Sequence, residues 1–182
     1  MKLLVSSVVP LLAAAGATWA ADTHYTLDAG KSHLEYQFTQ AGAQNKGKFT
    51  QYAVTLDMTG AAPSKLDVVV EMNSLDTGDA ERDDTLKSPD LFSVAKFPQS
   101  HFTSTSITQT AGGYDAAGKL TIRGVSKDIH VPFTFRPAAG VLMGKANIKR
   151  LDFGVGQGDW KATDQVGNDV TVSFALKLVA GH

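Results

Sequence analysis

Five histidines are the first residues in this sequence whose side chains could bind a metal ion or transfer a proton. They are His24, His33, His101, His130 and His182. None of them has another ligand residue at the spacing that protein metal sites use. The sequence therefore predicts no metal site, and it predicts ordinary surface or edge histidines.

Two short motifs are similar to ligand-binding loops but lack the residues that such loops need. The acidic run over residues 79–84 has neither the turn glycine nor the closing bidentate glutamate of a calcium loop. The run GVGQG at 154–158 has no helical segment after it and no Lys-Ser/Thr pair, so it does not match a phosphate-binding loop. We expect an N-terminally acidic helix at the first motif and a bent or bulged strand at the second.

Catalytic arrangements are not indicated either. The sequence has no Gly-x-Ser-x-Gly elbow, and Glu35 stands on the polar face of a predicted strand without a second carboxylate. The absence of cysteine excludes thiol chemistry. We predict that the protein is not an enzyme, although an active site assembled from distant residues remains an alternative.

The N-terminal residues 1–20 have the features of a cleavable signal peptide. Lys2 supplies the positive start, an apolar stretch follows, and Thr18-Trp19-Ala20 offers small residues at the cleavage positions. A membrane anchor is the weaker alternative, because the apolar run is shorter than the roughly 20 residues that span a bilayer. We therefore expect export to the periplasm, with residues 21–182 forming one domain.

The bulk composition excludes several classes of partner. The formal net charge is −1 over 182 residues, so the chain lacks the basic surface of a nucleic-acid-binding protein. With no cysteine, an exported domain has no disulfides and must be held together by a packed apolar interior.

Apolar and polar residues alternate along most of the chain. In GKLTIRGVSKDIHVPFTF at 118–135, two alternating segments flank a short turn, as in a β-hairpin with one buried face. Alternation recurs over residues 33–39, 53–58, 66–72 and 170–178. The predicted turns lie at Gly42, Gly60 with Pro63, Gly112-Gly113, Gly118, Gly124 and Gly140. Six to eight strands in this arrangement predict an antiparallel sandwich or barrel.

One segment, residues 77–92, interrupts the alternation. It is rich in charge and carries no β-branched run, and Thr77 or Asp79 is suited to the N-cap of a helix. We expect one short helix there, lying across an opening of the barrel.

Several motifs together resemble the YceI family of bacterial periplasmic proteins. In chain order they are YTLDAGKSHLEYQF, GKFTQY, RDDTLKSPDLFSVAKFP, HFTST, LTIRGVSKDIHVPFTF, RLDFGVGQGDW and DVTVSFAL. The similarity runs from about Tyr25 to Leu178. The segments AGAQNKGKF and RLDFGVGQGDW are similar to the subgroup associated with di-haem b-type membrane cytochromes.

The resemblance implies an all-β fold: an antiparallel, eight-stranded, lipocalin-like barrel with one short helix around an apolar tunnel. Members of that family resemble carriers of polyisoprenoids or other long-chain amphiphiles, including isoprenoid quinones. The resemblance implies no catalytic residues, no metal and no cofactor apart from a bound isoprenoid lipid or quinone. It leaves the oligomeric state open between monomer and homodimer.

On this resemblance, the inward apolar residues are expected to line the tunnel, whereas a dry β core is the alternative that composition alone favours. The expected lining residues are Leu34, Tyr36, Phe38, Phe49, Val68, Val70, Phe102, Leu120, Ile122, Val131, Phe133, Phe135, Val172 and Phe174. Arg82 and Lys87 are the candidates for contact with a head group, and a solvent-exposed helix is the alternative.

Two further side chains are open to more than one interpretation. Arg150 and Asp152 are consistent with a structural ion pair at a strand bend or with ligand contact. Trp160 either closes one end of the tunnel or covers an edge of the core.

We therefore predict a periplasmic carrier of a polyisoprenoid or fatty amphiphile. The alternatives are an accessory protein that presents an isoprenoid quinone to a separate membrane b-type cytochrome, an enzyme, and a dry-cored interaction protein.

Overall fold

The structure is a computed structural model that describes residues 22–181. Its strands are β1 (Thr23–Leu27), β2 (His33–Gln40), β3 (Ala43–Phe49), β4 (Tyr52–Thr59), β5 (Ala62–Glu71), β6 (Leu75–Asp76), β7 (Gln99–Thr110), β8 (Gly113–Ile122), β9 (Val125–Arg136), β10 (Val141–Lys149) and β11 (Val166–Ala180). The α-helix described is α1 (Ala80–Lys87), and short 3₁₀ turns cover Ala29–Lys31, Met72–Ser74, Pro137–Ala139, Arg150–Phe153 and Gly158–Lys161. The predicted signal peptide, residues 1–20, lies outside the described residues.

The strands close into a barrel. Within it, β1 and β2 run consecutively along one edge of β11, where Leu27 pairs with Leu178 and His33 with Ala175. The segments β3 and β4 form the next interrupted strand, and β5 with β6 the one after that. Counting each interrupted pair as one, the barrel has eight antiparallel strands, which confirms the predicted fold with its one short helix.

Two predicted turn residues instead lie within strands. Gly118 is buried inside β8, and a Cβ on it would approach the Thr103 carbonyl oxygen to 2.5 Å and the Phe102 ring to 2.7 Å. The glycine therefore lets β7 and β8 pack closely beside the register shift between Ser104 and Ser106. Pro63 lies in β5 opposite Met58, at a second irregularity of register.

One end of the barrel, which we call the base, is filled by side chains. Leu56, Leu66, Leu142 and Leu178 are almost completely buried there. Aromatic and branched residues from β1, β4, β9, β10 and β11 pack against them in one continuous cluster. This packing makes the base a solid core.

The opposite end is covered by the two connections that we call the cap, residues 77–98 and 150–165. Leu91, Phe153 and Val155 form a buried cluster against which Leu86 and Trp160 pack. The Asp90 carbonyl oxygen accepts hydrogen bonds from the Gly156 and Gln157 amides, which joins the two connections. No helix within residues 22–181 is long and apolar enough to cross a membrane.

Helix α1 begins at one of the two N-cap positions that the sequence predicts, Asp79. The Asp79 side chain accepts a hydrogen bond from the Arg82 amide at 3.1 Å and so caps the helix. Arg82 donates to the Asn45 side chain of β3, while Leu86 reaches the cap cluster. The helix therefore extends across the end of the barrel from β3 toward residues 150–155.

Candidate functional site: an apolar cavity between base and cap

A cavity of about 180 Å³ lies inside the barrel between the base and the cap. Its wall is apolar: Ser100, His101 and Arg150 border it without presenting a polar surface to it. The other residues that border it are Leu34, Tyr36, Phe49, Tyr52, Val54, Leu66, Val68, Val70, Met72, Phe92, Phe102, Leu120, Ile122, Ile129, Val131, Leu142, Ala146, Ile148, Phe153, Val155, Val170, Val172, Phe174 and Leu176. Such a wall can hold an apolar chain but offers no acid, base or nucleophile to it.

Most of the residues expected to line a tunnel border this cavity. They are Leu34, Tyr36, Phe49, Val68, Val70, Phe102, Leu120, Ile122, Val131, Val172 and Phe174. Period-two alternation brings them together, because every second side chain of a barrel strand points inward.

Three predicted lining residues lie elsewhere in the interior. Phe133 stacks on Tyr114 with ring centroids 5.4 Å apart, and Phe135 meets the edge of Tyr25 at 5.1 Å. Phe38 stacks on Tyr36 at 6.1 Å, farther along β2 toward the cap. They are inward-facing, as predicted, but ring contacts near the ends of the barrel keep them away from the cavity.

Some residues of the cavity wall were not predicted from the sequence. Phe92, Phe153 and Val155 lie outside the strands and carry no periodic signal. Tyr52, Leu66 and Ile129 also border the cavity but were not among the predicted lining residues, although alternation places Leu66 and Ile129 on inward strand faces.

Arg150 is buried, with 5% of its surface exposed, and it organises the second half of the cap. Its guanidinium donates to five backbone carbonyl oxygens, those of Val155, Trp160, Ala162, Val166 and Gly167, at 2.7–3.1 Å. Burial lowers the pKa of the guanidinium. Among residues 22–181 no ion pair joins it to Asp152, so the suggested structural ion pair is wrong and carbonyl oxygens are its partners.

The close packing around Arg150 explains one glycine of the GVGQG run. Gly156 has a φ of +116°, and a Cβ there would collide with Arg150 Nη1 and lie 2.6 Å from the Trp160 carbonyl oxygen. The glycine therefore serves the arginine-centred loop. Trp160 itself packs on the cap cluster and does not border the cavity.

Tyr36 is the unusual polar residue of the cavity wall. The residue is 6% exposed, and its hydroxyl has no hydrogen-bond partner among the described residues. Burial, followed by the nearby Asp83 and Asp76 carboxylates, raises the pKa of this phenol far above its ordinary value. The raised pKa means that the phenol keeps its proton further into the alkaline range than an exposed tyrosine does.

The two head-group candidates lie on α1, outside the cavity wall. Arg82 pairs with Asp79 at 3.6 Å and donates to Asn45 Oδ1 at 3.2 Å. Lys87 is half-buried at the last turn of the helix. Neither side chain borders the cavity.

The histidines do not gather into a metal site within the part of the chain that is described. His130 contacts Asp115 and His24 contacts Asp57, both on the barrel exterior.

Comparison with known proteins agrees with this barrel. The YceI-like domain family matches residues 25–178, which is nearly all of the described chain. The chain belongs to the YceI-like family. A UPF0312 protein of Yersinia enterocolitica is 33% identical over 164 residues, covering 84% of this chain and 85% of that protein.

Two solved structures share the fold of this chain. The crystal structure of Burkholderia cenocepacia BcnA has a TM-score of 0.78 and 30% identity, over 84% of this chain and 99% of BcnA. A polyisoprenoid binding domain from Saccharophagus degradans has a TM-score of 0.65 and 20% identity, over 86% of this chain and 98% of that domain.

Proposed function

We propose that the protein is a periplasmic binding or carrier protein for a polyisoprenoid or similar long-chain amphiphile. The observation that carries the proposal is the apolar cavity held between a solid base and a two-segment cap. A barrel of about eight strands is just wide enough inside to enclose one small or slender ligand.

The size of the cavity limits what it holds without rearrangement. An engineered apolar cavity of about 150 Å³ binds benzene, so the 180 Å³ cavity holds a group of about that size, comparable to one prenyl unit. A longer chain must widen the space. The base is a continuous core, so we expect the widening to come from movement of the cap.

Burial of a prenyl chain supplies ample free energy for binding. At roughly 0.8 kcal/mol for each buried carbon group, one five-carbon unit contributes about 3–4 kcal/mol before ordering costs. Apolar walls discriminate weakly between chains of similar width, so recognition must come from the head group.

The Saccharophagus domain supports the ligand class by fold-level analogy, because it is described as polyisoprenoid-binding and has the same barrel. Fold alone does not establish function, so the cavity chemistry remains the main support. For a charged head group, Arg82 and Lys87 remain our proposed contacts. Such a group would have to compete with Asp79 for Arg82.

The proposal is tested by native mass spectrometry of protein purified from periplasm without detergent, followed by organic extraction. We expect one long-chain amphiphile for each protomer and a chain that begins at Ala21. Bare protein, even after incubation with prenyl lipids, would contradict the carrier function. The same spectrum distinguishes monomer from homodimer.

A matched pair of variants locates the ligand. Val131→Trp places a large ring in the cavity, whereas Thr134→Trp places it on the exposed face of the same strand. We expect lipid to be lost from the first variant and retained by the second. Equal lipid content in both would place the ligand outside the cavity.

The alternative function is presentation of an isoprenoid quinone to a membrane b-type cytochrome, and it predicts a different lipid in the organic extract of the purified protein. A stoichiometric redox-active quinone would favour it, and a redox-inactive prenyl lipid would favour the simple carrier.

A further inference from the structure

The ladder between β9 and β10 covers only the base end of these two strands. It ends where Gly144 pairs with Phe133. Both strands continue toward the cap, β9 paired with β8 and β10 paired with β11. Residues 125–132 of β9 and 145–149 of β10 therefore face each other across what we call the gap, and no ladder in the described part of the chain joins them.

Pro132 explains why the ladder ends at this point. Counted from the two-residue turn Arg123–Gly124, Pro132 lies at a position whose backbone groups point away from β8 and toward β10. Its carbonyl oxygen does lie beside β10, because a Cβ on Gly144 would collide with it. A proline has no N–H to donate, so the next bond of the ladder cannot form there.

The apolar cavity reaches the gap. Ile129 and Val131 of β9 and Ala146 and Ile148 of β10 all border the cavity. These four residues lie along the two unpaired stretches, on either side of the gap. The unpaired stretch is therefore part of the cavity wall, and side chains rather than ladder hydrogen bonds must close it.

Different side chains close the two ends of the gap. At the cap end, Phe153 and Val155 are buried, and Ile129 and Ile148 pack against their cluster. At the base end, Phe174 borders both the cavity and a groove of about 750 Å³ on the outer face of the barrel. The Phe174 ring therefore lies between the two spaces.

Gly144 brings the outer groove close to this ring. The glycine pairs with Phe174 across β10 and β11, and a Cβ on it would collide with the ring. Gly144 and Pro132 both border the outer groove. The groove and the cavity thus approach each other where the β9–β10 ladder ends.

Displacement of these side chains requires less free energy than separation of two paired strands. To pass between β8 and β9, a chain would have to break a ladder of hydrogen bonds and leave backbone groups unpaired. In the gap no such ladder has to break, and movement of Phe153 with its neighbours in the cap opens it. An amphiphile can then enter sideways while its polar end stays in water and avoids the cost of burial.

We propose that the gap between β9 and β10 is a lateral portal, through which the chain of the amphiphile enters and leaves the cavity while its polar end stays outside the barrel. This inference rests on the proposed carrier function and adds the route of entry to it. Movement of the cap is then required because Phe153 and Val155 close the cap end of the gap.

A covalent bridge across the gap tests the portal. Continued past Gly144, the register of the ladder places Asn147 opposite His130, and both residues are exposed. His130→Cys with Asn147→Cys introduces two thiols into a sequence that has no cysteine. The folded protein is loaded with the fluorescent anthraniloyl ester of farnesol, and a bis-maleimide then joins the two thiols. We expect the bridge to slow release of the probe roughly tenfold or more in stopped-flow displacement by excess farnesol.

The matched control places the same bridge over a closed ladder. Thr171 pairs with Asn147 across β10 and β11, and their side chains are hydrogen-bonded at 3.0 Å. Asn147→Cys with Thr171→Cys, bridged in the same way, should release the probe at the wild-type rate, as should both double variants before bridging. Equal release from the two bridged proteins would overturn the portal and leave the carrier function standing. If wild type did not bind the probe at all, the carrier function itself would be contradicted.

Discussion

At the residue scale, the buried phenol of Tyr36 makes the free energy of unfolding depend on pH in the alkaline range. Burial raises its pKa in the folded protein above the value of about 10 that an unfolded chain has. Below pH 10 both states keep the proton, so the free energy of unfolding is unaffected by this group. Above it the unfolded chain releases a proton that the folded chain retains, and stability falls.

We therefore predict that Tyr36→Phe protects the protein against alkaline unfolding. At neutral pH the variant should be as stable as wild type or slightly more so, because the hydroxyl it lacks has no partner. Above pH 10 its advantage should grow by up to about 1.4 kcal/mol per pH unit. Urea unfolding of both proteins at neutral pH and near pH 11 measures this; a constant difference would show that the phenol ionises freely in the fold.

Arg150 is the second residue whose role is visible only in the structure. Its five N–H donors bind five backbone carbonyl oxygens between Val155 and Gly167. We predict that Arg150→Met lowers the free energy of unfolding by about 3–5 kcal/mol, the range for leaving buried polar groups unpaired. Arg150→Lys should recover little of it, since an ammonium cannot reproduce the planar fork.

The control for Arg150 is Arg136→Met, which removes an exposed guanidinium from β9. It should change the free energy of unfolding by less than about 0.5 kcal/mol. If Arg150→Met were equally mild in the same urea titration, the arginine would not be what holds residues 150–167 together.

At the element scale, the strands and the cap differ in how far their sequences reveal them. Alternation identified the inward faces that carry Leu34, Val131 and Val172, because a strand has only two faces. It could not identify Phe92 or Phe153, whose positions follow from the path of irregular segments. It also could not identify the partners of Arg150, because they are backbone carbonyl oxygens, which every residue type has.

The cap is the element that we expect to open for ligand exchange. Its two connections meet where the Gln157 amide donates to the Asp90 carbonyl oxygen at 2.8 Å. We predict that Asp90→Cys with Gln157→Cys, once oxidised, exchanges a bound prenyl lipid at least tenfold more slowly than wild type. Stopped-flow displacement measures the rate.

The reduced form of the same variant is the internal control for this experiment. The wild-type chain contains no cysteine, so reduction changes only the engineered bond. Exchange should return to the wild-type rate on reduction. If the oxidised and reduced forms exchanged at the same rate, the ligand would reach the cavity by another route, for instance between β2 and β11.

At the scale of the whole molecule, the two ends of the barrel differ in how firmly they are packed. We expect the base to stay folded and the cap to move when a ligand enters. The base buries large aliphatic side chains from many strands, among them Leu56, Leu142 and Leu178. The cap depends on smaller clusters and on single backbone contacts such as those to Asp90. Local opening therefore requires less free energy at the cap than global unfolding of the base does.

Hydrogen exchange measured by mass spectrometry should show this division. In protein without lipid, we expect amides of residues 77–98 and 150–165 to exchange faster than those of β4, β10 and β11 by at least tenfold. Saturating ligand should slow the cap amides, because it stabilises the state in which the cap covers the ligand over states in which the cap is locally unfolded. The rates should fall by a factor set by the ligand concentration over its dissociation constant. Protection that rose equally in base and cap would mean that the ligand stabilises the barrel only against global unfolding. The 180 Å³ cavity would then have to lengthen within the barrel itself, and the cap would be a fixed lid.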